Sequence, residues 1–518
     1  MRLLRLLYIP VLLVVISCDP DTSSSPEPED VFVKLYGNLG QETAADFLVR
    51  RDADNNPLGF VIFGTTNSAA LVSGTGTDTD YYLISTDPAG NETPSLADAN
   101  TFSEAFDYSY DILDPQDRTV TTLDAELSAS KIIQTQDGGY LLVGTALNLI
   151  DQDDDILDPT VDPVDLRDDQ FVNRAYLVKV DVTGAEEWSI LYPSLAPNNG
   201  TTKSPTEESS EIVSDVIQTS DGNILLIGST TNINTSKPDL PDPSVDPSDI
   251  WLLKFDPTGL TTGSTDLPVD NITYERVLGF PGEDDGVAVF ERSDGSLVII
   301  GNGQGKSDGT DRDILFITSD ADAFNNNFQE IGGPNGEEDF VNDVVLLSDG
   351  GVAVVGYSTT ANGDRTLLAR FDQTGGLAFF ENIMLVDEVM DLAGEDPLAD
   401  FIDFTGDHRG YGVTQIPGDN LAVVGELLDV DVDISGVNNQ ANREIDIILL
   451  TTDGFGQHDE NSVAKNFGGV NNDIGRSIQQ INDIDGTSRF VILSTVDFEG
   501  GSTMISLMKT SSSGNLIR

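Results

Sequence analysis

The chain has 518 residues and carries 26 Lys and Arg against 89 Asp and Glu, a formal net charge of −63 at pH 7. A chain this acidic repels phosphate backbones, which argues against nucleic acid as a partner. The single cysteine excludes an internal disulfide, and the many carboxylates favour either a solvated acidic surface or bound cations.

The first 17 residues are predicted to be an export signal. Arg2 and Arg5 precede an apolar stretch at 6–16 that is too short to span a membrane as a mature helix. The following Val15-Ile16-Ser17-Cys18 resembles the lipobox of bacterial lipoproteins, and the resemblance implies that Cys18 is lipidated and becomes the new N-terminus. It also implies attachment at the outer membrane or cell surface. An ordinary cleaved signal is the alternative.

Residues 18–30 are acidic, rich in Ser and Pro, and without apolar periodicity, which is typical of a disordered tether. The tether leaves periplasmic and extracellular exposure both open.

An Asp-Gly turn followed by a short apolar run recurs along residues 31–518. Asp-Gly suits the positive φ angles of a tight hairpin, and the runs are too short for helices, so each copy predicts a strand. In one copy, Gly418-Asp419, the pair is inverted. The seven copies lie at 58–64, 137–144, 221–228, 294–301, 349–356, 418–425 and 485–494.

A second apolar segment that ends in a polar turn follows each copy. These segments lie at 80–90, 175–184, 250–259, 314–320, 366–375, 446–454 and 504–510. A third element precedes the Asp-Gly turn, as at 130–135, 214–219, 287–292 and 342–347, and a fourth closes on glycine, as at 328–333 and 464–469. Four short strands repeated seven times without a helical pattern predict an all-β protein, a seven-bladed β-propeller of four-stranded antiparallel blades.

The two ends of this region predict how the ring closes. Residues 31–37 match the fourth-strand pattern, whereas the chain ends just after a third strand at 504–510. We therefore expect the N-terminal strand to complete the C-terminal blade, so that 31–518 forms one domain without an exposed sheet edge.

The repeats resemble a known family. The run Asp137-Gly138-Gly139-Tyr140, the segment Tyr-Leu-Val-Lys-Val-Asp-Val-Thr-Gly at 176–184 and the Phe-Gly-Gly at 467–469 are similar to the DGGY-type β-propeller repeats of bacterial cell-surface lipoproteins. The resemblance implies the propeller fold and says almost nothing about function.

No catalytic constellation stands out in the sequence. His408 and His458 lie in Gly-rich polar stretches and are expected to be exposed loop residues. Turn geometry accounts for the Asp-Gly pairs without a sialidase-type Asp-box, and the stretch from Asp181 to Trp188 is interpreted as a structural turn.

Acidic insertions between second and third strands are candidate calcium sites. Alternating carboxylates can chelate Ca²⁺, although none of the insertions has the glycine and terminal glutamate of an EF-hand loop. Solvated acidic loops are the alternative. The candidate ligands are Asp151, Asp153, Asp155, Asp429, Asp431 and Asp433.

The leading functional hypothesis is a non-enzymatic, lipid-anchored module that binds a protein or a glycan at the cell envelope. A polysaccharide hydrolase or lyase with carboxylates at the propeller channel is the first alternative, and a scaffold for outer-membrane assembly is the second. Apart from calcium, no cofactor is predicted.

Overall fold

The computed structural model describes residues 31–38, 40–68, 78–92, 101–113, 120–151, 170–193, 209–231, 248–264, 267–280, 282–304, 311–333, 336–361, 363–383, 407–432, 438–458, 462–468, 471–483, 486–498 and 501–516. Seven four-stranded antiparallel sheets stand as blades in a ring, which confirms the predicted seven-bladed β-propeller. Within these ranges, no helix has the length and apolar composition needed to cross a bilayer.

Six blades are built from consecutive strands. Blade 1 contains β2 (Glu42–Arg51), β3 (Pro57–Thr66), β4 (Asp80–Ser85) and β5 (Phe102–Phe106). Blade 2 contains β8 (Glu126–Gln134), β9 (Tyr140–Asp151), β10 (Gln170–Val180) and β11 (Glu186–Tyr192). Blade 3 contains β12 (Glu211–Gln218), β13 (Ile224–Thr230), β14 (Asp249–Phe255) and β15 (Ile272–Leu278), and a 3₁₀ turn at Val269–Asn271 precedes β15.

Blades 4 to 6 follow the same plan. Blade 4 contains β16 (Asp284–Glu291), β17 (Leu297–Gln304), β18 (Arg312–Ser319) and β19 (Asn327–Ile331). Blade 5 contains β20 (Glu338–Leu346), β21 (Val352–Thr360), β22 (Gly363–Phe371) and β23 (Leu377–Asn382). Blade 6 contains β24 (His408–Ile416), β25 (Asn420–Val432), β26 (Asn438–Thr452) and β27 (Ala464–Phe467).

Blade 7 combines the two ends of the described chain. It contains β28 (Asp473–Asn482), β29 (Ser488–Phe498), β30 (Ser502–Ser511) and, as its outermost strand, β1 (Phe32–Tyr36). The register places Phe32 opposite Lys509 and Tyr36 opposite Ile505. The predicted closure by the N-terminal strand is therefore confirmed.

The hydrophobic core lies between the blades. Among the described residues, seven clusters of buried apolar side chains each join two neighbouring blades. The cluster between blades 7 and 1 joins Leu507 and Ile505 to Phe47 and Phe60. Because both faces of a blade are covered, second and third strands are continuous apolar runs rather than alternating ones. Each buried Leu, Ile or Val contributes about 1.5–3 kcal/mol to stability.

The antiparallel order gives the ring two different faces. The Asp-Gly turns between first and second strands and the turns between third and fourth strands share one face, named here the short-turn face. The connections between second and third strands, and those between blades, share the opposite, long-loop face. Gly350 adopts a φ of 84° in its turn, and the inverted pair Gly418 and Asp419 adopts 86° and 62°. The positive φ values expected of these tight hairpins are present.

One element was not predicted. An extra hairpin of β6 (Ser109–Leu113) and β7 (Val120–Asp124) lies between blades 1 and 2 and forms its own two-stranded sheet. It belongs to no repeat, so the recurring motifs gave no sign of it.

Candidate functional site at the central channel

The innermost strand of every blade has one extra residue at the same place. Such a bulge bends the strand and redirects the side chains beside it. The register shifts lie between Ala44 and Asp46, Ala129 and Lys131, Val213 and Asp215, Gly286 and Ala288, Val341 and Asp343, Gly410 and Gly412, and Gly475 and Ser477.

Four of the residues that follow these bulges are charged, and they converge from blades 1, 2, 3 and 5. The Lys131 ammonium lies 3.4 Å from the Asp46 carboxylate. Asp215 and Asp343 are also close enough for their charges to raise the pKa of Lys131, although Asp46 has the largest effect. We name these four residues the channel cluster: Asp46, Lys131, Asp215 and Asp343.

Each carboxylate of the channel cluster also binds a neighbouring blade. Asp215 accepts a hydrogen bond from the Val289 amide at 3.2 Å, and Asp343 accepts one from the Val413 amide at 2.9 Å. Ser477 of blade 7 donates to Asp46 of blade 1 at 3.0 Å. The cluster therefore joins blades around the axis, including the pair of blades where the ring closes.

Burial changes the acidity of the channel cluster. Desolvation raises the pKa of Asp215 to about 6, against the opposing effect of Lys131, and it raises the pKa of Asp343 as well. A carboxyl with a pKa near neutrality could act as a general acid or base. However, Asp46 and Asp215 are only 6% and 8% exposed, and backbone amides or a serine hydroxyl already bind all three carboxylates. This arrangement braces the ring and offers a substrate little access.

The recurring aspartates of the short-turn face also have structural partners. The Asp349 carboxylate accepts a hydrogen bond from the Gly351 amide at 2.9 Å. It also forms an ion pair with Arg370 of the third strand, at 2.7 Å. The same pairing of a turn aspartate with a third-strand cation occurs in Asp137 with Lys179 at 3.1 Å. Turn geometry and these ion pairs account for the motif, as expected.

A groove of about 500 Å³ lies on the short-turn face between blades 2 and 3. Its lining combines the mostly buried ring of Trp188 with charged side chains such as Lys179 and Glu187 and with hydroxyl groups such as those of Thr258 and Thr262. The Thr262 hydroxyl donates to the Glu187 carbonyl at 3.1 Å, so the wall itself joins the two blades. A volume of this size is in the range of small-ligand sites.

Most residues singled out in the sequence lie outside the described residues or only partly within them. Cys18, Asp153, Asp155 and Asp433 lie outside. Asp151 ends β9, whereas Asp429 and Asp431 lie in β25, and only the backbone of these three is described. The lipidation and the calcium site at these insertions stay predictions.

The expectation for His408 was wrong. Its side chain is only 1% exposed, and its Nδ1 accepts a hydrogen bond from the Thr366 amide at 3.1 Å. Burial lowers its pKa to about 3, so the imidazole is neutral at ordinary pH. The Gly-rich sequence suggested a loop, but His408 begins β24, where blade 5 covers it. His458 lies in a turn, with its Nδ1 3.0 Å from the Thr451 carbonyl oxygen.

Sequence reasoning did not identify the channel cluster. Its members share one position in the first strands, in Ser130-Lys131-Ile132, Ser214-Asp215-Val216 and Asn342-Asp343-Val344. A charged residue at the same place in several first strands is the signal that could have revealed a shared polar centre.

Comparisons with known proteins return only distant similarities to solved structures. No protein-family model and no curated protein matches the chain. A protein of unknown function from Dyadobacter fermentans is 12% identical over 93% of this chain and 100% of its own, with a TM-score of 0.38. The polysaccharide lyase Uly1 is 10% identical over 92% and 91%, with a TM-score of 0.41. The β-propeller domain of the Trilobed protease from Pyrococcus furiosus is 8% identical over 90% and 95%, with a TM-score of 0.36. Similarity this low carries no argument about either the fold or the activity of this chain, and the fold is given by the sheet topology itself.

Proposed function

We propose that the chain is a non-enzymatic, lipid-anchored module of the cell envelope that binds a glycan in the groove between blades 2 and 3. The observation that supports this proposal is the groove, because it is concave and open at the surface. Asp215 and Asp343 of the channel cluster, in contrast, already bind backbone amides of neighbouring blades.

The lining of the groove suits a hydroxyl-rich ligand. Thr258, Thr261 and Gln218 offer donors and acceptors, and Glu187 can accept hydrogen bonds from sugar hydroxyls. The small exposed part of Trp188 adds an apolar surface to the same lining. A volume of about 500 Å³ accommodates one or two sugar rings.

The envelope location rests on the lipobox-like Val15-Ile16-Ser17-Cys18 and on the acidic tether that follows it. A lipid on Cys18 would hold the ring close to a membrane. Whether it faces the periplasm or the outside of the cell does not affect the binding proposal.

The test is a glycan-array screen of the chain lacking residues 1–18, followed by calorimetry with the best ligand. Thr258→Trp places a bulky ring at the mouth of the groove and should weaken binding at least about tenfold, a loss of about 1.4 kcal/mol. Thr374→Trp is the matched control, because Thr374 is exposed in the equivalent turn of blade 5. Equal binding by both variants, or no glycan binding at all, would refute the proposal.

An extracellular polysaccharide hydrolase or lyase is the second candidate, since Asp215 has a raised pKa beside two other carboxylates. The assay is release of reducing ends or unsaturated products from acidic and neutral polysaccharides. Turnover that disappears in Asp215→Asn would favour the enzyme over the binding module. Capture of outer-membrane assembly components in place of glycans would favour a scaffold.

A further inference from the structure

In four blades the third strand carries an aspartate at the same register position, close before its apolar run. Among these four blades, only blade 1 has a second carboxylate directly opposite this aspartate in the strand ladder. The four are Asp80, Asp249, Asp313 and Asp446. Continuing the ladders by one residue places Gly279, Gly332 and Gly468 opposite the last three. A Cβ at any of these glycines would collide with the facing carboxylate. In blade 1 the corresponding residue is Asp107.

Three carboxylates meet at this point of the long-loop face. Asp78, Asp80 and Asp107 each offer an oxygen, and the three oxygens lie within 4.8 Å of one another. We name these residues the blade 1 triad. Like charges directly across a strand pair destabilise a sheet unless something neutralises them.

A second observation indicates that a ligand belongs there. Asp80 is only 2% exposed, and its buried Oδ1 has no hydrogen-bond partner among the described residues. An unpaired buried carboxylate oxygen is costly. The acidic residues of the turns, in contrast, have backbone amides or cations as partners, as Asp349 does.

The backbone around the triad is held in place by its own hydrogen bonds. Thr79, between Asp78 and Asp80, accepts from the Leu127 amide through its carbonyl and donates to the Leu127 carbonyl through its hydroxyl, both at 2.8 Å. The Tyr176 hydroxyl donates to the Asp107 carbonyl at 3.2 Å. Blade 2 therefore positions the strand ends that carry the carboxylates.

We propose that the blade 1 triad binds a divalent cation of the calcium class. Ca²⁺ binds oxygens at 2.3–2.6 Å, so oxygens on opposite sides of the ion are up to about 5 Å apart, which fits the spacing of the triad. Asp107 is exposed and Asp78 is partly exposed, which leaves room for water ligands and a path for entry. Asp124, at the end of β7, lies near enough for its charge to raise the pKa of both Asp80 and Asp107. The ion joins the start of β4 to the residue that follows β5, beside the extra hairpin.

The rival way to neutralise the triad is a proton. Burial, with the charges of Asp107 and Asp78, raises the pKa of Asp80 to about 8. A proton shared by Asp80 and Asp107 would satisfy the pair without a metal, so the test must separate a proton from a cation.

The experiment measures binding of Ca²⁺ and Tb³⁺ to the chelator-treated chain lacking residues 1–18. Calorimetry gives the affinity and stoichiometry of Ca²⁺, Tb³⁺ luminescence excited through neighbouring tyrosines such as Tyr108 reports the site, and thermal unfolding reports its effect on stability. Wild-type protein should show a Ca²⁺-dependent rise of several degrees in Tm. Asp107→Asn, at an exposed position, should weaken the strongest binding step at least about tenfold and remove most of the rise.

The controls separate this site from the other carboxylates. Asp446→Asn removes the equivalent aspartate in blade 6, which faces Gly468, and should leave the Ca²⁺ response unchanged. A combined Asp151→Asn, Asp153→Asn and Asp155→Asn variant tests the acidic insertion of blade 2. Three results would overturn the proposal. The first is no Ca²⁺-dependent change of Tm in wild-type protein, and the second is a Ca²⁺ response that disappears in the insertion variant but persists in Asp107→Asn. The third is a rise in Tm caused by Asp107→Asn that is equal with and without Ca²⁺. The last result would assign the triad to a shared proton.

Discussion

Replacing Lys131 with methionine removes the cation that faces three carboxylates at the axis. Breaking a buried ion pair by loss of one partner costs about 3–5 kcal/mol. The Lys131 side chain is 33% exposed, so we expect the lower end of that range, about 3 kcal/mol near pH 8. The loss arises because Asp46, Asp215 and Asp343 then repel one another without compensation.

The same change should make stability more dependent on pH. Burial already raises the pKa of Asp215 to about 6 with Lys131 present, so between its ordinary value and 6 the folded protein binds more protons than the unfolded chain. Stability from this group therefore falls as the pH rises through that window. Without Lys131 the pKa of Asp215 rises further, which extends the fall toward neutral pH.

Urea unfolding at about pH 5.5 and about pH 8 measures both effects. Lys131→Met should lose more stability at the higher pH, and adding Asp215→Asn should recover part of it, since asparagine still accepts from the Val289 amide. Lys465→Met, on the outermost strand β27, is the matched control. A loss for Lys131→Met that equals the control and is the same at both pH values would refute the role of the channel cluster as a brace.

Three further predictions follow from single contacts. Tyr36→Ala should lower the free energy of unfolding by about 3–5 kcal/mol, because the Tyr36 side chain is only 2% exposed. Tyr36→Phe should lower it by only about 1 kcal/mol, because this change removes just the hydroxyl that donates to the Gly90 carbonyl. Equal losses in the two variants would contradict the packing of the Tyr36 ring in β1, the strand that closes the propeller. Gly468→Ala should cost about 1–3 kcal/mol in urea unfolding because its Cβ would meet the Asp446 carboxylate, and an unchanged midpoint would disprove that contact. Since the pKa of His408 is lowered to about 3, its neutral form stabilises the fold above the ordinary histidine pKa, and this contribution is lost as the pH falls. The penalty of His408→Gln, followed by thermal unfolding, should therefore shrink by about 2 kcal/mol between about pH 7 and pH 5, and a constant penalty would argue against the buried neutral imidazole.

The strands and their order could be predicted because their signals are local. A turn such as Asp349-Gly350 needs a residue that adopts positive φ, and Gly350 does so at 84°. The apolar runs after these turns are short, and seven repetitions leave few architectures. The closure of the ring could also be predicted, because residues 31–37 have the fourth-strand pattern that the C-terminal part of blade 7 lacks.

The sites were not predictable in the same way. Lys131 and Asp343 are far apart in sequence and become neighbours only because blades 2 and 5 face one axis. In the sequence, Asp80 and Asp107 are separated by the rest of β4, the connection after it and the whole of β5. Each is also only one carboxylate among 89 acidic residues. His408 was assigned to a loop because its neighbours are glycines, yet a blade covers it.

The sequence by itself determined the number of blades, the order of their strands and the segment that closes the ring, since turn chemistry and apolar runs act over a few residues. Tertiary structure alone decided which charges meet, because a circle of blades brings together side chains whose separation along the chain carries no information about their distance in space. The burial that follows from this meeting sets the pKa values of Asp215 and His408 and leaves Asp80 Oδ1 without a partner among the described residues.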